Sequence, residues 1–241
     1  MTQGIGAIWV YLATSPLLGL VVTLVAYVAA TVFYRRTGGF PLAHPVLLSV
    51  ALIAALLEFG HIPYARYFEG AQFVHFLLGP ATVALAVPLF ENAERVRRAA
   101  PAIAVGLVCG SVTAALSAVL IARALGATDV VLRSLAPKSV TTPIAMGISE
   151  KVGGLPSLTA ALVILTGITG AMLFPLLYEA TGIADWRARG LGAGTAAHGI
   201  GTARALMLST TAGAFSSLAM GVNAILSAVL VPPMLTLLLG R

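Results

Sequence analysis

Apolar residues run along this chain in blocks of about twenty, and polar positions gather in the short gaps between the blocks. Continuous apolar runs lie at 8–33, 43–60, 99–123, 156–178 and 214–239. Each is near the roughly 20 residues that an α-helix needs to cross the hydrocarbon of a bilayer. Three further segments, 71–90, 131–149 and 190–209, are apolar but interrupted by Gly, Pro, Thr or charge. The every-second-residue alternation of a membrane β-barrel is missing, and lipid tolerates no open sheet edge, so the pattern predicts an all-α integral membrane protein, a polytopic helical bundle with broken or re-entrant helices.

Composition agrees. Of 241 residues, 59% are hydrophobic and 9% charged, with a mean hydropathy of +1.00, against about 25% charged residues in a soluble domain. The net charge of +6 is no nucleic-acid signature. Its cations sit in connecting clusters, Arg35-Arg36, then Arg95, Arg97 and Arg98, then Arg187 and Arg189, where they read as anchors to lipid headgroups. Cys109 stands alone inside an apolar run, so cysteine builds neither a disulfide nor a metal cluster. The run from Ile8 is too long, and lacks the basic leader, for a cleavable signal peptide; it is expected as the first span.

The chain also repeats itself. Leu116-Ser117-Ala118-Val119-Leu120 recurs as Leu226-Ser227-Ala228-Val229-Leu230. Gly70, Gly79 and Thr82 match Gly190, Gly199 and Thr202, and Gly38-Gly39-x-Pro41 matches Gly153-Gly154-x-Pro156. The matches keep their order, so the single transmembrane domain, 1–241, reads as two homologous repeats, about 8–124 and 131–240. By analogy with secondary transporters they are read as inverted, and such folds place substrate between two broken helices. The interrupted segments 71–90 and 190–209 correspond in the two repeats. Gly79, Pro80 and Thr82 are therefore expected opposite Gly199, Gly201 and Thr202, with free N–H groups and positive helix ends turned to a small anion.

The polar side chains inside this apolar chain point to the same chemistry. Arg204, in TAAHGIGTARALML, is costly at membrane depth unless it faces protein or water. Its planar fork suits a carboxylate; the competing role is an arginine snorkelling to the interface. His198 is expected at the same cavity, donating to substrate or taking a coupled proton, or else packed with its hydrogen bonds satisfied. Lys138, Ser139, Thr141 and Thr142 lie between Pro137 and Pro143, which disfavour a continuous helix. Lys138 reads as a second anion contact or a helix-end cation, and Asn223 as a bond across a helix contact. No metal motif, P-loop, nucleophile elbow or carboxylate pair is present, so neither enzyme activity nor a cofactor is expected, beyond a coupling proton or cation.

The strings LLGPATVALAVPLF, LAPKSVTTPIAMGISEKVGGLPSLTA, ARGLGAGTAAHGIGTARAL and GAFSSLAMGVNAILSAVLVP resemble the LrgB/CidB family of bacterial membrane proteins. The resemblance covers nearly the whole chain, most tightly 77–90 and 135–232. It implies a multi-pass protein of the bacterial inner (cytoplasmic) membrane, paired with a small LrgA/CidA-type membrane protein. It also implies two kinds of function. Members are described as holin-like or antiholin-like regulators of murein hydrolase activity, autolysis and programmed cell death. Others transport glycolate and glycerate or are linked to pyruvate uptake. The expectation taken forward is a transporter for a small organic acid, a monocarboxylate, with lysis regulation as the alternative. Its carboxylate would be held by Arg204 and the N–H groups of 79–82 and 199–202, its other oxygen by Thr141, Thr142 and Thr202. Small-residue faces such as 213–221 make a homodimer an added expectation.

Overall fold

The computed structural model describes residues 17–38, 40, 43–84 and 86–240, with the side chains of 75, 78 and 82 left out; residues 8–16 of the run 8–33 lie outside the described residues. All regular structure among them is helical: α1 Leu17–Arg36, α2 Pro45–Phe59, α3 Tyr64–Phe76, α4 Leu78–Ala84, α5 Ala86–Glu91, α6 Ala93–Arg98, α7 Ala100–Ala124, α8 Asp129–Leu135, α9 Thr142–Lys151, α10 Pro156–Ala180, α11 Trp186–Leu208 and α12 Thr210–Leu239. Five stretches are long and apolar enough to cross a membrane: α1, Tyr64–Glu91, α7, α10 and α12. The expected span 43–60 is shorter than that, because Pro45 opens α2 and Gly60 closes it after 15 residues. In exchange, 64–91 is longer than the interrupted segment 71–90 suggested. The chain is a membrane protein.

The chain divides after Ala84 into two compact units. In the first, α1 packs against α2 and α3. Gly19 permits the closest approach, since a Cβ there would stand 2.1 Å from the carbonyl oxygen of Tyr67. Thr23 and Tyr67 then share a hydroxyl hydrogen bond of 2.7 Å across the same contact. The helix is interrupted at Leu77, between α3 and α4, and Pro80 falls in the first turn of α4, where its missing N–H costs no helical bond, so the expected interruption sits just ahead of Gly79-Pro80.

The second unit is built on three long helices. Arg123, at the end of α7, donates to the carbonyl of Leu238 at the end of α12 (2.6 Å). At the other end Arg95 donates to Thr211 (3.2 Å), so α7 and α12 run side by side through the unit. Two helical hairpins fill the space between these ends, and each returns to the end it came from.

The first hairpin follows α8, which begins five residues after the end of α7, at Asp129: segment 136–141 runs inward from the end of α8 and α9 returns, so that the base closes where Ser134 meets the chain at 149–159. The N–H of Leu155 donates to Ser134 Oγ (2.8 Å), and Thr159 donates to the Ser134 carbonyl (3.0 Å) and to Ser149 Oγ (2.7 Å). Gly153, with φ of 79°, turns the chain from α9 toward α10; Gly38, its counterpart in the sequence repeat, has φ of 67° ahead of α2.

The second hairpin is α11. Its φ/ψ values leave the helical region at Ala197 (−126°, 18°) and His198 (41°, −133°). In a continuous helix, residues eight apart are about 12 Å apart. Here a Cβ on Gly201 would lie 2.6 Å from the carbonyl oxygen of Ala193, so the chain has folded back. The arms 186–196 and 199–208 are antiparallel, with the tip at Ala197-His198. Gly190 and Gly194, one turn apart, meet the backbone of α12 at Ala212 and Ser216, where a Cβ would come within 2.2 Å of each carbonyl oxygen. Small residues at this spacing let helices touch backbone to backbone where no water drives them together.

Candidate functional site

The site forms where the two hairpin tips come to one side chain. Asn223 lies near the middle of α12 and is 1% exposed. Its Nδ2 donates to the carbonyl of Thr195, beside the α11 tip (2.9 Å), and to the carbonyl of Ser139, in the α8–α9 turn (3.5 Å). Its Oδ1 accepts from Ser111 of α7 and from Ser227 one turn along α12 (3.3 Å). A break strands the last carbonyls of the helix before it, and Asn223 takes up one of them.

His198 is the strained residue of the α11 tip. A positive φ is uncommon outside glycine and costs about 1–3 kcal/mol unless the surroundings hold it. They do so here. The imidazole is 5% exposed and its Nε2–H donates to the carbonyl of Val163 in α10 (2.9 Å). Gly167 and Gly170 of α10 make the seat: a Cβ on Gly167 would stand 2.7 Å from the His198 ring, and one on Gly170 2.5 Å from Ala197 Cβ. Lys138 is half-buried, and its Nζ reaches Ser139 Oγ at 3.4 Å.

The residues expected at the site are thus distributed unevenly. The turn that bears Lys138 and Ser139 and the tip that bears His198 are brought to one side chain, Asn223, with Gly199 half-buried just past the tip. Thr141 takes the N-cap position of α9 without spending its hydroxyl on the helix, and both it and Thr142 are half-buried. Two helices therefore start beside the tips, α9 at 142 and the returning arm of α11 at 199, each with unpaired N–H groups and a partial positive charge in its first turn. Arg204 is half-buried on the returning arm, about 9 Å of helix rise from His198. Helical side chains lean toward the N-terminus of their helix, which on this arm is the tip.

One expectation is corrected. Thr202 does not offer its hydroxyl to a ligand: it is 0% exposed, donates to the His198 carbonyl (2.8 Å) and pairs with Ser216 Oγ (2.9 Å). Gly201 is there for the close approach of the arms. Gly79 and Pro80 belong to the first unit, exposed on α4, and Thr82's side chain lies outside the described residues. The helix start facing the α11 tip within the second unit comes from α9. Asn223, expected to bond across a helix contact, does so. Ser111 and Ser134 were not singled out by the sequence. Their signal was faint: single hydroxyls in apolar helices, where each must find a partner.

At the Arg95 end, Asp185 caps α11 by accepting from the Arg187 N–H (2.8 Å) and pairs with the Arg187 guanidinium (2.5 Å). Arg187's hydrogen bonds hold this carboxyl below the ordinary aspartate range. Arg189 lies over the rings of Trp186 (4.8 Å) and Tyr178 (5.9 Å), an arrangement suited to a headgroup layer.

Comparison with known proteins bears on the whole chain. The LrgB-like family pattern matches residues 23–237. The uncharacterized protein YwbG of Bacillus subtilis (strain 168) is 37% identical over 222 residues, covering 91% of this chain and 97% of the relative. The antiholin-like protein LrgB of Bacillus cereus (strain B4264) is 30% identical over 218 residues, covering 90% and 95%. No solved structure matches. With a family match across nearly all of its length and relatives aligned almost end to end, this chain belongs to the LrgB family.

Proposed function

We propose that this protein carries small monocarboxylates, such as pyruvate, glycolate or glycerate, across the bacterial inner membrane, by itself or as the transporting subunit beside a small LrgA/CidA-type partner or a second copy of itself. The observation that supports this most is the pair of hairpin tips. A helix broken at a strained histidine meets a polar turn bearing a lysine, deep in an apolar bundle. Hairpins of this kind leave backbone dipoles at mid-depth, where they bind ions and anions. The substrate carboxylate is held by the N–H groups at 199–201 and at the start of α9, with Lys138 and Arg204 supplying charge. Thr141 and Thr142 take its hydroxyl or keto oxygen. His198 carries a coupled proton. No bond of the substrate is made or broken.

A second reading has its own support. Relatives 30% identical over most of their length are named antiholin-like, and the name favours a regulator of murein hydrolase activity and lysis. Such a protein acting through membrane lesions needs spans that assemble, and has no use for paired broken helices around a lysine. On the transporter reading, altered carboxylate flux is the cause of any lysis phenotype.

Uptake of labelled pyruvate, glycolate and glycerate into vesicles containing the purified chain tests the two. Transport gives a saturable rate with competition between related acids. Lys138→Gln and Arg204→Lys each lower it at least tenfold, the latter because a point ammonium cannot replace a bidentate fork. Leakage of unrelated solutes without saturation gives the reading to the lysis regulator. The duplication belongs to the same proposal. Residues 131–240 hold two long helices and two hairpins, an even number of crossings. Labelling from each side decides whether the first repeat also crosses an even number of times, which makes the copies parallel, or an odd number, which makes them inverted.

A further inference from the structure

We infer that Asn223 is the tie between the two hairpin tips, and that passage of substrate requires its amide to release one of them; the second half of this statement rests on the transporter reading. The orientation of the amide is forced. Carbonyl oxygens only accept, so the amino group must face Thr195 and Ser139, and Oδ1 must face the hydroxyls of Ser111 and Ser227. Those hydroxyls anchor the amide to α7 and α12, the long helices that cross the whole unit. Its two donors then reach the two elements that do not cross.

The hairpins open at opposite ends of the unit. The α11 arms reach the Arg95 end, where Gly190 meets Ala212 beside Thr211. The α8–α9 hairpin starts and finishes at the Arg123 end, its base pinned by Leu155 and Thr159. One NH2 group therefore holds shut, from inside, the two segments that separate the site from either end. The contacts are unequal: 2.9 Å to Thr195 and 3.5 Å to Ser139, the latter at the limit of a hydrogen bond. The α8–α9 tip is the one released first. Asn223 is thus a positioning residue: it touches no substrate, and acts through the tips.

The test uses the full purified chain. Amide hydrogen exchange is followed without substrate, and carboxylate flux is followed in vesicles loaded with pyruvate. Asn223→Ala is expected to speed exchange at least fivefold in both 136–142 and 195–202, leaving α7 and the far half of α10 unchanged. Ser149→Ala, at the base of one hairpin, speeds exchange in 129–151 alone. Ser111→Ala removes one anchor of the amide and keeps its donors; it moves both tips in the same direction by about twofold, and decides the matter if Asn223→Ala does not fold. In vesicles, loss of the tie gives leakage of pyruvate without saturation. A merely structural defect would instead slow transport and keep it saturable. Faster exchange at one tip only, or at neither, overturns the tie. Faster exchange at both with saturable transport retained overturns its role in gating. If the wild-type chain carries no carboxylate, the transporter reading fails, while the exchange result still stands or falls by itself.

Discussion

The two hairpins of the second unit solve one problem by different physics. Both bring chain into the middle of an apolar bundle and back out, which exposes backbone groups that lipid cannot satisfy. The α8–α9 hairpin runs inward over segment 136–141 and is held by side-chain hydrogen bonds. At its base the Thr159 hydroxyl, 0% exposed, joins the Ser134 carbonyl to the Ser149 hydroxyl. The α11 hairpin reverses over two residues and is held by the absence of side chains, with Gly190, Gly194 and Gly201 bringing its arms onto α12 and onto each other. The first is a polar clamp with a loose, lysine-bearing tip. The second is a packed wedge whose only strained residue is the histidine at its point. The wedge is seated by close backbone packing, whereas the clamp has the weaker tip contact, 3.5 Å against 2.9 Å.

Substitutions in each hairpin should break in different ways. Gly194→Val would break the wedge outright. Three carbons would be forced toward the Ser216 carbonyl and Ala219 Cβ, already 2.2 Å and 2.9 Å from a single added Cβ. Both are backbone or core atoms with nowhere to go. The expected loss is at least 3 kcal/mol, seen as a collapse in yield of folded protein by size-exclusion in detergent. Thr159→Val keeps the shape of the clamp and removes its central donor. The Ser134 carbonyl and Ser149 hydroxyl then lose a buried partner, for about 1–3 kcal/mol of thermal stability, with faster exchange confined to 129–151. Equal disturbance of α11 would show that the two hairpins do not hold independently.

The smallest expected effect is at the mouth of the wedge. Asp185→Ala removes the cap of α11 at a cost of about 1 kcal/mol. The carboxyl is held below the ordinary aspartate range by Arg187. The cap's contribution is therefore fully present at neutral pH, above the unfolded value of about 3.9, and is lost as pH falls through the lower folded value. Melting temperatures of wild type and variant, compared between pH 7 and pH 3, should converge at the acid end. A gap that persists at pH 3 would mean that the residue acts by something other than its charge.

Much of this was legible in the residues themselves. Apolar blocks of about twenty placed α1, α7, α10 and α12, and Gly-rich 190–209 was rightly read as a broken helix, because glycine weakens a helix wherever it falls. The polar turn at 136–142 was likewise marked by its two prolines. The interruption expected at Gly79-Pro80 falls at Leu77, with Pro80 in the first turn of the helix that follows. A hydroxyl misled instead. Thr202, reading as a free hydroxyl, is consumed by Ser216, fourteen residues away and on another helix.

The sequence by itself determined that this chain lives in a membrane as a helical bundle, where its long helices lie, and that 136–142 and 198–204 are polar segments within it. Those conclusions follow from local properties: the transfer energy of side chains, the lengths of apolar runs, and the backbone preferences of Gly and Pro. Only the tertiary structure decided that the break at Ala197-His198 is a full reversal, that the two polar segments meet, and that they meet at Asn223. A φ of 41° at a histidine is unfavourable locally and exists because Gly167, Gly170 and Val163 receive it. The meeting of two carbonyls on one amide is a long-range coincidence of packing, which no single stretch of the chain encodes.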